Sequence, residues 1–387
     1  MTCRVMFYAQ HLLGIGHLKR ASLIARAMAA SGLDVSVVLG GRRVPGIDFE
    51  GCARILLPPV HAADETFRLL HDEHGAPIDD AWRDNRAARL LFEFESLRPH
   101  IVIIELFPFG RRMFGFELIP LLARARALER PPFIVCSLRD ILARKADAER
   151  NRKAVAFARS WFGRILVHGD PGFLPVEASF PEMAGIAEKV TYTGYVVEDR
   201  SPADDADEGG PIGAGEVIVS AGGGAVGLPL LRAALAARPL SSLADRTWRL
   251  ITGPNLPDEA YAEIAWSKPE GVIVERWRAD LQALFRRCAV SVSQAGYNTV
   301  MDLLRARARP VFVPFAAAGE SEQTLRARAL AKRGLAVVVD PAELSPKFLA
   351  DGIDRALTLS PRSVEIDCGG AATTARLIRE ACRHAGP

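Results

Sequence analysis

Residues 289–323 read AVSVSQAGYNTVMDLLRARARPVFVPFAAAGESEQ, and their order decides the fold. An apolar strand runs into a Gly turn, a helix follows, then a second strand and a polar loop ending in Glu322-Gln323. Such a unit sets a helix N-terminus and an acidic side chain beside a pocket. Backbone N–H groups from Gly296 through Asn298 to Thr299 can face phosphate oxygens, and the helix dipole favours the negative charge. Asp302 stands one turn further on, in reach of ribose hydroxyls. Glu322 and Gln323 offer the acceptors and donors that sugar hydroxyls require. The segment implies a nucleotide-diphosphate sugar as ligand.

The same alternation extends in both directions. Toward the N-terminus the expected strands are Arg4–Ala9, Asp34–Leu39, Ile101–Leu106, Phe133–Ser137, Ile165–His168 and Val190–Tyr192, with Leu18–Ser31 as an amphipathic helix stopped by Gly32. Runs such as IVIIEL (101–106) are apolar without interruption, as strands buried on both faces must be. A second series runs through Val217–Ser220, Trp248–Thr252, Val272–Val274, Ala289–Ser293, Val311–Pro314 and Ala336–Asp340. Between the two series lies EDRSPADDADEGGPIGAG (198–215), acidic, rich in Gly and Pro and without apolar period, which reads as a linker. The chain of 387 residues is therefore an α/β protein of two Rossmann-like domains, 1–197 and 216–387, joined by 198–215. Their parallel sheets are expected to face a central cleft, with the ligand at the carboxyl ends of the strands. The final helix, Ala371–His384, is amphipathic enough to pack on either domain, back on the N-terminal one included.

Composition narrows the function classes. A net charge of +3 is too small to argue for nucleic acid. No run of about 20 apolar residues predicts a membrane span, and Met1 leads directly into a strand, so no signal peptide is expected. The six cysteines form no CxxC pair and several fall in apolar strands, where reduced thiols are expected. That expectation favours a cytoplasmic protein, with a position peripheral to the inner membrane left open.

Three further segments carry chemistry. The first strand ends in QHLLGIGHLKR (10–20), where Gly14 and Gly16 permit a tight turn and a close backbone approach at a helix start. His17 on the first helical turn is a candidate general base, its ordinary pKa of about 6.5 suiting proton transfer near neutrality. The same position equally suits a histidine that caps the helix or packs under the turn. In the second series Ser220 leads into Gly222, Gly223 and Gly224, a backbone nest for an anion, a site of close packing or a flexible turn. Arg276 and Trp277 close a strand, where backbone groups and the indole can border a nucleobase, or the indole can simply pack. Glu105 lies at a strand's carboxyl end, and Arg111 and Arg112 beyond it are suited to an acceptor's phosphate or carboxylate. Phe107, Phe109, Phe114 and Phe116 beside those arginines have the composition of a membrane-surface patch, or of core. Asp205-Ala206-Asp207 matches a metal-binding pattern by letters only and reads as a solvated charge run.

With these residues in view, the chain resembles GT-B glycosyltransferases akin to the undecaprenyl-linked N-acetylglucosaminyltransferase of peptidoglycan synthesis and the plant galactolipid synthases. It is most similar to a poorly characterised bacterial branch of that group. The resemblance rests on Ser293-Gln294-Ala295-Gly296-Tyr297-Asn298-Thr299, Asp302, Pro314 and Glu322-Gln323, and on Gly14-x-Gly16-His17, Phe107–Arg112, Gly194-Tyr195-Val196 and Thr252-Gly253-Pro254. It implies a donor diphosphate held by the glycine loops, Gly253 and Gln294 included, and by the helix that starts near Asn298. Two departures stand out. Ala295 replaces a usual Gly and adds a methyl near the phosphate, and Asp302 replaces a usual Glu and shortens the reach to ribose.

The expected reaction is inverting, metal-independent transfer from a nucleotide-diphosphate sugar, a UDP-sugar first, with His17 as base and Glu105 as its alternate. No cofactor beyond the nucleotide-sugar substrate is expected. The acceptor, whether small molecule, lipid or peptide, is unidentified; no nucleic-acid partner is expected, and membrane contact is left open and not favoured. The rival readings are a nucleotide-sugar 2-epimerase, an NADP-linked oxidoreductase using Arg42-Arg43, and a non-catalytic nucleotide-sugar-binding protein.

Overall fold

Where the sequence is apolar without interruption, strands form and sit centrally. The computed structural model describes residues 2–12, 16–44, 46–62, 69–142, 148–198, 212–222, 226–315, 322–360 and 366–385. Gly14, Gly223, Gly224, Asp205-Ala206-Asp207 and most of the acidic linker lie outside them. The chain divides into two units, Met1–Glu198 with Ile366–Pro387, and Asp199–Glu365.

In the first unit the elements are β1 (Arg4–Ala9), α1 (Gly16–Ala30), β2 (Asp34–Leu39), β3 (Ala53–Leu56), β4 (His61–Ala62) and β5 (Leu70–His71). Then come α2 (Asp80–Leu97), β6 (Ile101–Glu105), α3 (Gly115–Arg126), β7 (Phe133–Arg139), α4 (Ala148–Trp161), β8 (Arg164–His168) and β9 (Val190–Tyr192). Seven parallel strands run in the order β3-β2-β1-β6-β7-β8-β9, while β4 and β5 make a separate antiparallel pair. One face of the sheet buries Met6, Tyr8, Ile104 and Cys136 with Leu90 and Phe94 of α2. The other buries Val5, Phe7, Ile103 and Val135 with Leu18 and Ile24 of α1. The order reverses between β1 and β6, and a ligand site is expected beyond the carboxyl ends of strands at such a switch.

The second unit contains β10 (Val217–Ser220), α5 (Leu228–Ala237), β11 (Trp248–Ile251), α6 (Asp258–Ser267), β12 (Val272–Glu275) and α7 (Leu281–Arg287). It continues with β13 (Val290–Ser293), α8 (Tyr297–Arg305), β14 (Pro310–Phe312), α9 (Glu322–Lys332), β15 (Val337–Val338) and α10 (Pro346–Leu357). Its six parallel strands run β12-β11-β10-β13-β14-β15, with the reversal between β10 and β13.

The final helix, α11 (Gly370–Ala385), belongs to the first unit, so the unit built on 216 onward ends before Ile366. Its apolar Ala375, Leu377 and Ile378 join the α1 face of the core. The returning chain is stitched in beforehand: Tyr195 N–H donates to Asp367 O (2.6 Å) and Gly370 N–H to Tyr195 O (3.0 Å). Gly194 sits there at φ +84°, where an added Cβ would stand 2.5 Å from the Asp367 carboxylate, so only glycine fits. The same docking brings Cys3 and Cys382 together as a disulfide, Cα–Cα 6.2 Å. The absence of a CxxC pair therefore does not mean that every cysteine is free: these two are paired, whereas Cys136, inside β7, is a buried free thiol. The pair's separation of 379 residues left no spacing signal to read.

Candidate active site

The first switch point gathers the candidate base. His17 occupies the first turn of α1 and Glu105 ends β6, the strand beside β1. His17 Nδ1 lies 3.5 Å from Glu105 Oε1, with the His17 side chain 16% exposed and that of Glu105 2%. Arg20, one helical turn after His17, donates through Nη2 to the same Glu105 Oε1. That Nη2 is also 3.1 Å from His17 Nδ1. Sequence reading passed over Arg20, although its i, i+3 spacing from His17 puts both on one helix face. Beyond Glu105 the chain turns sharply, with Leu106 at φ 65° and Arg111 at φ 55°.

The electrostatics differ from the expectation of an imidazole poised near 6.5. Burial pushes the His17 ring down to about 4, Arg20 and Arg139 push the same way, and Glu105 opposes them. Burial alone would raise the Glu105 carboxyl, but Arg20, with His17 and Arg111, holds it down at about 2. At neutral pH the site therefore contains a neutral imidazole against an ionised carboxylate. Glu105 Oε2 is buried with no hydrogen-bond partner among the described residues.

Buried polar networks brace this edge of the sheet. Arg86 of α2, fully buried, donates through Nε to Glu117 Oε2 (2.8 Å) and through Nη2 to Gln10 Oε1 (2.6 Å) and Glu117 Oε1 (3.1 Å). Tyr8 donates to Glu117 Oε1 at 2.5 Å, and Gln10 Nε2 to His11 O at 2.6 Å. On the α1 face, His168 bridges Ser137 Oγ (2.8 Å) and Thr193 Oγ1 (2.9 Å), and burial pushes its pKa down to about 3.

The arginines expected at the acceptor divide. Arg111 is half-buried and electrostatically coupled to Glu105, whereas Arg112 donates through Nε to Pro108 O (3.0 Å) in its own loop. Of the two readings of the aromatics, core holds: Phe107, Phe109 and Phe114 are buried in the core, and Phe116 packs against it half-buried. Each is drawn inward because the β6–α3 segment lies over the sheet. No helix among the described residues is long and apolar enough to cross a membrane.

At the second switch point Ser220 and Ser293 pair in register across β10 and β13. Gly222 follows Ser220 at φ +71°, with Gln294 Oε1 3.9 Å from the position of an added Cβ. Gly296 is the N-cap of α8, and no side chain caps the helix. Its first-turn N–H groups at Tyr297, Asn298 and Thr299 thus end the helix as an anion site would require. Asp302 accepts from Gln282 Nε2 (2.9 Å) and borders a shallow depression lined also by Arg286, Arg305 and Ala306.

Several expected donor contacts have structural duties as well. Ala295 is fully buried, and its carbonyl accepts from Arg326 Nη1 (2.8 Å). Arg326, fully buried and unmarked in sequence reading, also donates to Glu322 Oε1 (2.9 Å), tying the start of α9 to the Gly296 turn. Gln323 Oε1 accepts from Phe315 N–H (3.0 Å). Gly253 (φ +85°) donates its N–H to Arg276 O (3.0 Å). The Arg276 guanidinium is committed to Leu256 O (2.9 Å), to Asp258 and to the face of Tyr261. Trp277 remains 67% exposed, so the packing alternative for its indole does not hold.

Comparison with known proteins follows this geometry. Residues 217–367 match the glycosyltransferase family 28 C-terminal domain. A UDP-N-acetylglucosamine–N-acetylmuramyl-(pentapeptide) pyrophosphoryl-undecaprenol N-acetylglucosamine transferase of Syntrophotalea carbinolica is 29% identical over 130 residues, 33% of this chain. That match spans only 36% of the relative's length. The transferase of the same description from a Mycobacterium species (strain KMS) is 29% identical across 95% of this chain and 91% of its own. Among solved structures, CalG4, the calicheamicin glycosyltransferase, superposes with a TM-score of 0.68 at 15% identity, covering 100% of both chains. At that identity the likeness carries the fold, which is GT-B.

Proposed function

We propose that this chain, whose fold is GT-B and whose residues 217–367 match the glycosyltransferase family 28 C-terminal domain, carries out an inverting, metal-independent transfer from a UDP-sugar to an acceptor hydroxyl. The observation that carries the reading is the contact of His17 with the buried carboxylate of Glu105 at the carboxyl edge of the first sheet. The acceptor oxygen forms its bond to the anomeric carbon while the bond from that carbon to the diphosphate breaks, the electron pair leaving with the diphosphate. The acceptor proton goes to His17 Nε2, and Glu105 stabilises the imidazolium that forms.

The second unit supplies the donor contacts. Backbone N–H groups at the uncapped start of α8 receive the departing diphosphate, with Ser220, Gly222 and Gln294 beside them. The helix N-terminus supplies the positive potential that the departing diphosphate needs. Asp302 meets the ribose, Trp277 borders the base, and the Glu322-Gln323 pair meets the sugar. Arg111 meets the acceptor.

The test is proton NMR of UDP-N-acetylglucosamine, UDP-glucose and UDP-galactose with the enzyme, first alone and then with pooled sugar, lipid and peptide acceptors. The reading expects stable donor alone and a new anomeric signal of inverted configuration with an acceptor. A new epimer from donor alone would assign a 2-epimerase, and bound donor with no transfer from any pool would assign a binding protein.

A further inference from the structure

The position of Arg20 bears on which nitrogen of His17 carries the ring proton. A guanidinium has hydrogens to give and no acceptor. Its Nη2 lies 3.1 Å from His17 Nδ1, closer than the 3.5 Å that separates Nδ1 from Glu105 Oε1. A donor at that distance is compatible with a lone pair on Nδ1, which places the proton of a neutral ring on Nε2. Yet a base that works through Nε2 needs that nitrogen bare, with Nδ1–H donating to the carboxylate.

We propose that Arg20 is a positioning residue that holds His17 in the Nε2–H tautomer in the ligand-free protein, and that turning the base on means moving this one guanidinium off Nδ1. The inference rests on His17 being the base. Two buried atoms give the alternative arrangement its partners. Glu105 Oε2 is unpartnered among the described residues, so the carboxylate has acceptor capacity in reserve for an Nδ1–H. Arg20 Nε is unpartnered as well, so the guanidinium has a second donor to offer after a small displacement. The charges facing the ring are Arg20 from α1, Arg139 from the end of β7, and Glu105 from β6, with Arg111 acting on Glu105. In the ligand-free site burial, with Arg20 and Arg139, outweighs Glu105 and keeps the ring neutral at pH 7.5, so the tautomer is the variable left to the site. Arg20 touches no reacting atom in this scheme and acts only through His17.

The experiment is long-range proton–nitrogen correlation on the ¹⁵N-histidine-labelled full chain at pH 7.5, with His17 identified among the eight histidines by its loss in His17→Gln. The expected wild-type pattern is a pyridine-type Nδ1 and a pyrrole-type Nε2, inverted in Arg20→Met and restored toward wild type in Arg20→Lys. A pyrrole-type Nδ1 in the wild-type protein overturns the proposal, and so does an unchanged pattern in folded Arg20→Met. Should Arg20→Met fail to fold, Arg20→Gln, whose amide oxygen can accept from Nδ1–H, takes its place with the same inversion expected. No donor or acceptor is needed, so this outcome stands apart from whether transfer is found.

Discussion

His17→Ala is expected to lower turnover by about 10²–10⁴-fold while leaving the dissociation constant for the nucleotide-sugar unchanged. In free energy that is about 2.7–5.5 kcal/mol of lost transition-state stabilisation. The split between turnover and binding follows from where the groups lie. His17 belongs to the first unit, whereas the uncapped helix and its flanking loops belong to the second. The wild-type pH profile carries a companion expectation. Because burial lowers the His17 pKa to about 4, the ring is unprotonated and competent above that value. Turnover should fall as pH drops through about 4, instead of through the ordinary histidine value of about 6.5. Steady-state kinetics from pH 4 to 8 with direct donor titration checks both statements. Wild-type turnover in His17→Ala would move the role to Glu105 or abolish it.

Arg86→Met is expected to destabilise the first unit by about 3–5 kcal/mol, because it leaves the Glu117 carboxylate buried without its cation. Both side chains of this pair are fully buried, and Arg86 also holds Gln10, whose own amide holds His11. The loss therefore spreads to the chain that leaves β1 at Gln10 and His11. Breaking one side of such a pair costs more than removing both, since the remaining charge has no water to return to. Arg86→Met combined with Glu117→Leu should recover most of the stability, measured by urea unfolding of the single and double variants. A single variant as stable as wild type would show that the charge of Glu117 is relieved by some other group.

Most of the scaffold was readable because its central strands are apolar on both faces. β1, β2, β9 and β10 occur at their expected bounds, and β6, β8, β11 and β13 differ from theirs by a residue. β3 escaped notice because it lies at the sheet's edge with three of its four residues exposed, so no apolar run marks it. The hairpin of β4 and β5 is only two residues on each side. At the site, His17 was legible from its glycine turn and Glu105 from its strand end. Arg20 was not, because lysines and arginines on helices are usually solvated, and only the fold shows this one turned inward onto a carboxylate. Glu322 and Gln323 were legible as residue types but not in their bonds to Arg326 and to the Phe315 amide. Those partners depend on packing between α9 and the β13–α8 turn, which no local pattern encodes. The disulfide lay beyond sequence reading for the same reason.

The most direct test is a crystal structure of the protein with an intact or non-hydrolysable UDP-sugar. The account predicts the diphosphate against the backbone N–H groups of Gly296 to Thr299, the ribose at Asp302, and His17 free of the nucleotide. A nucleotide seated instead on the Gly14–Gly16 turn of the first unit would contradict it.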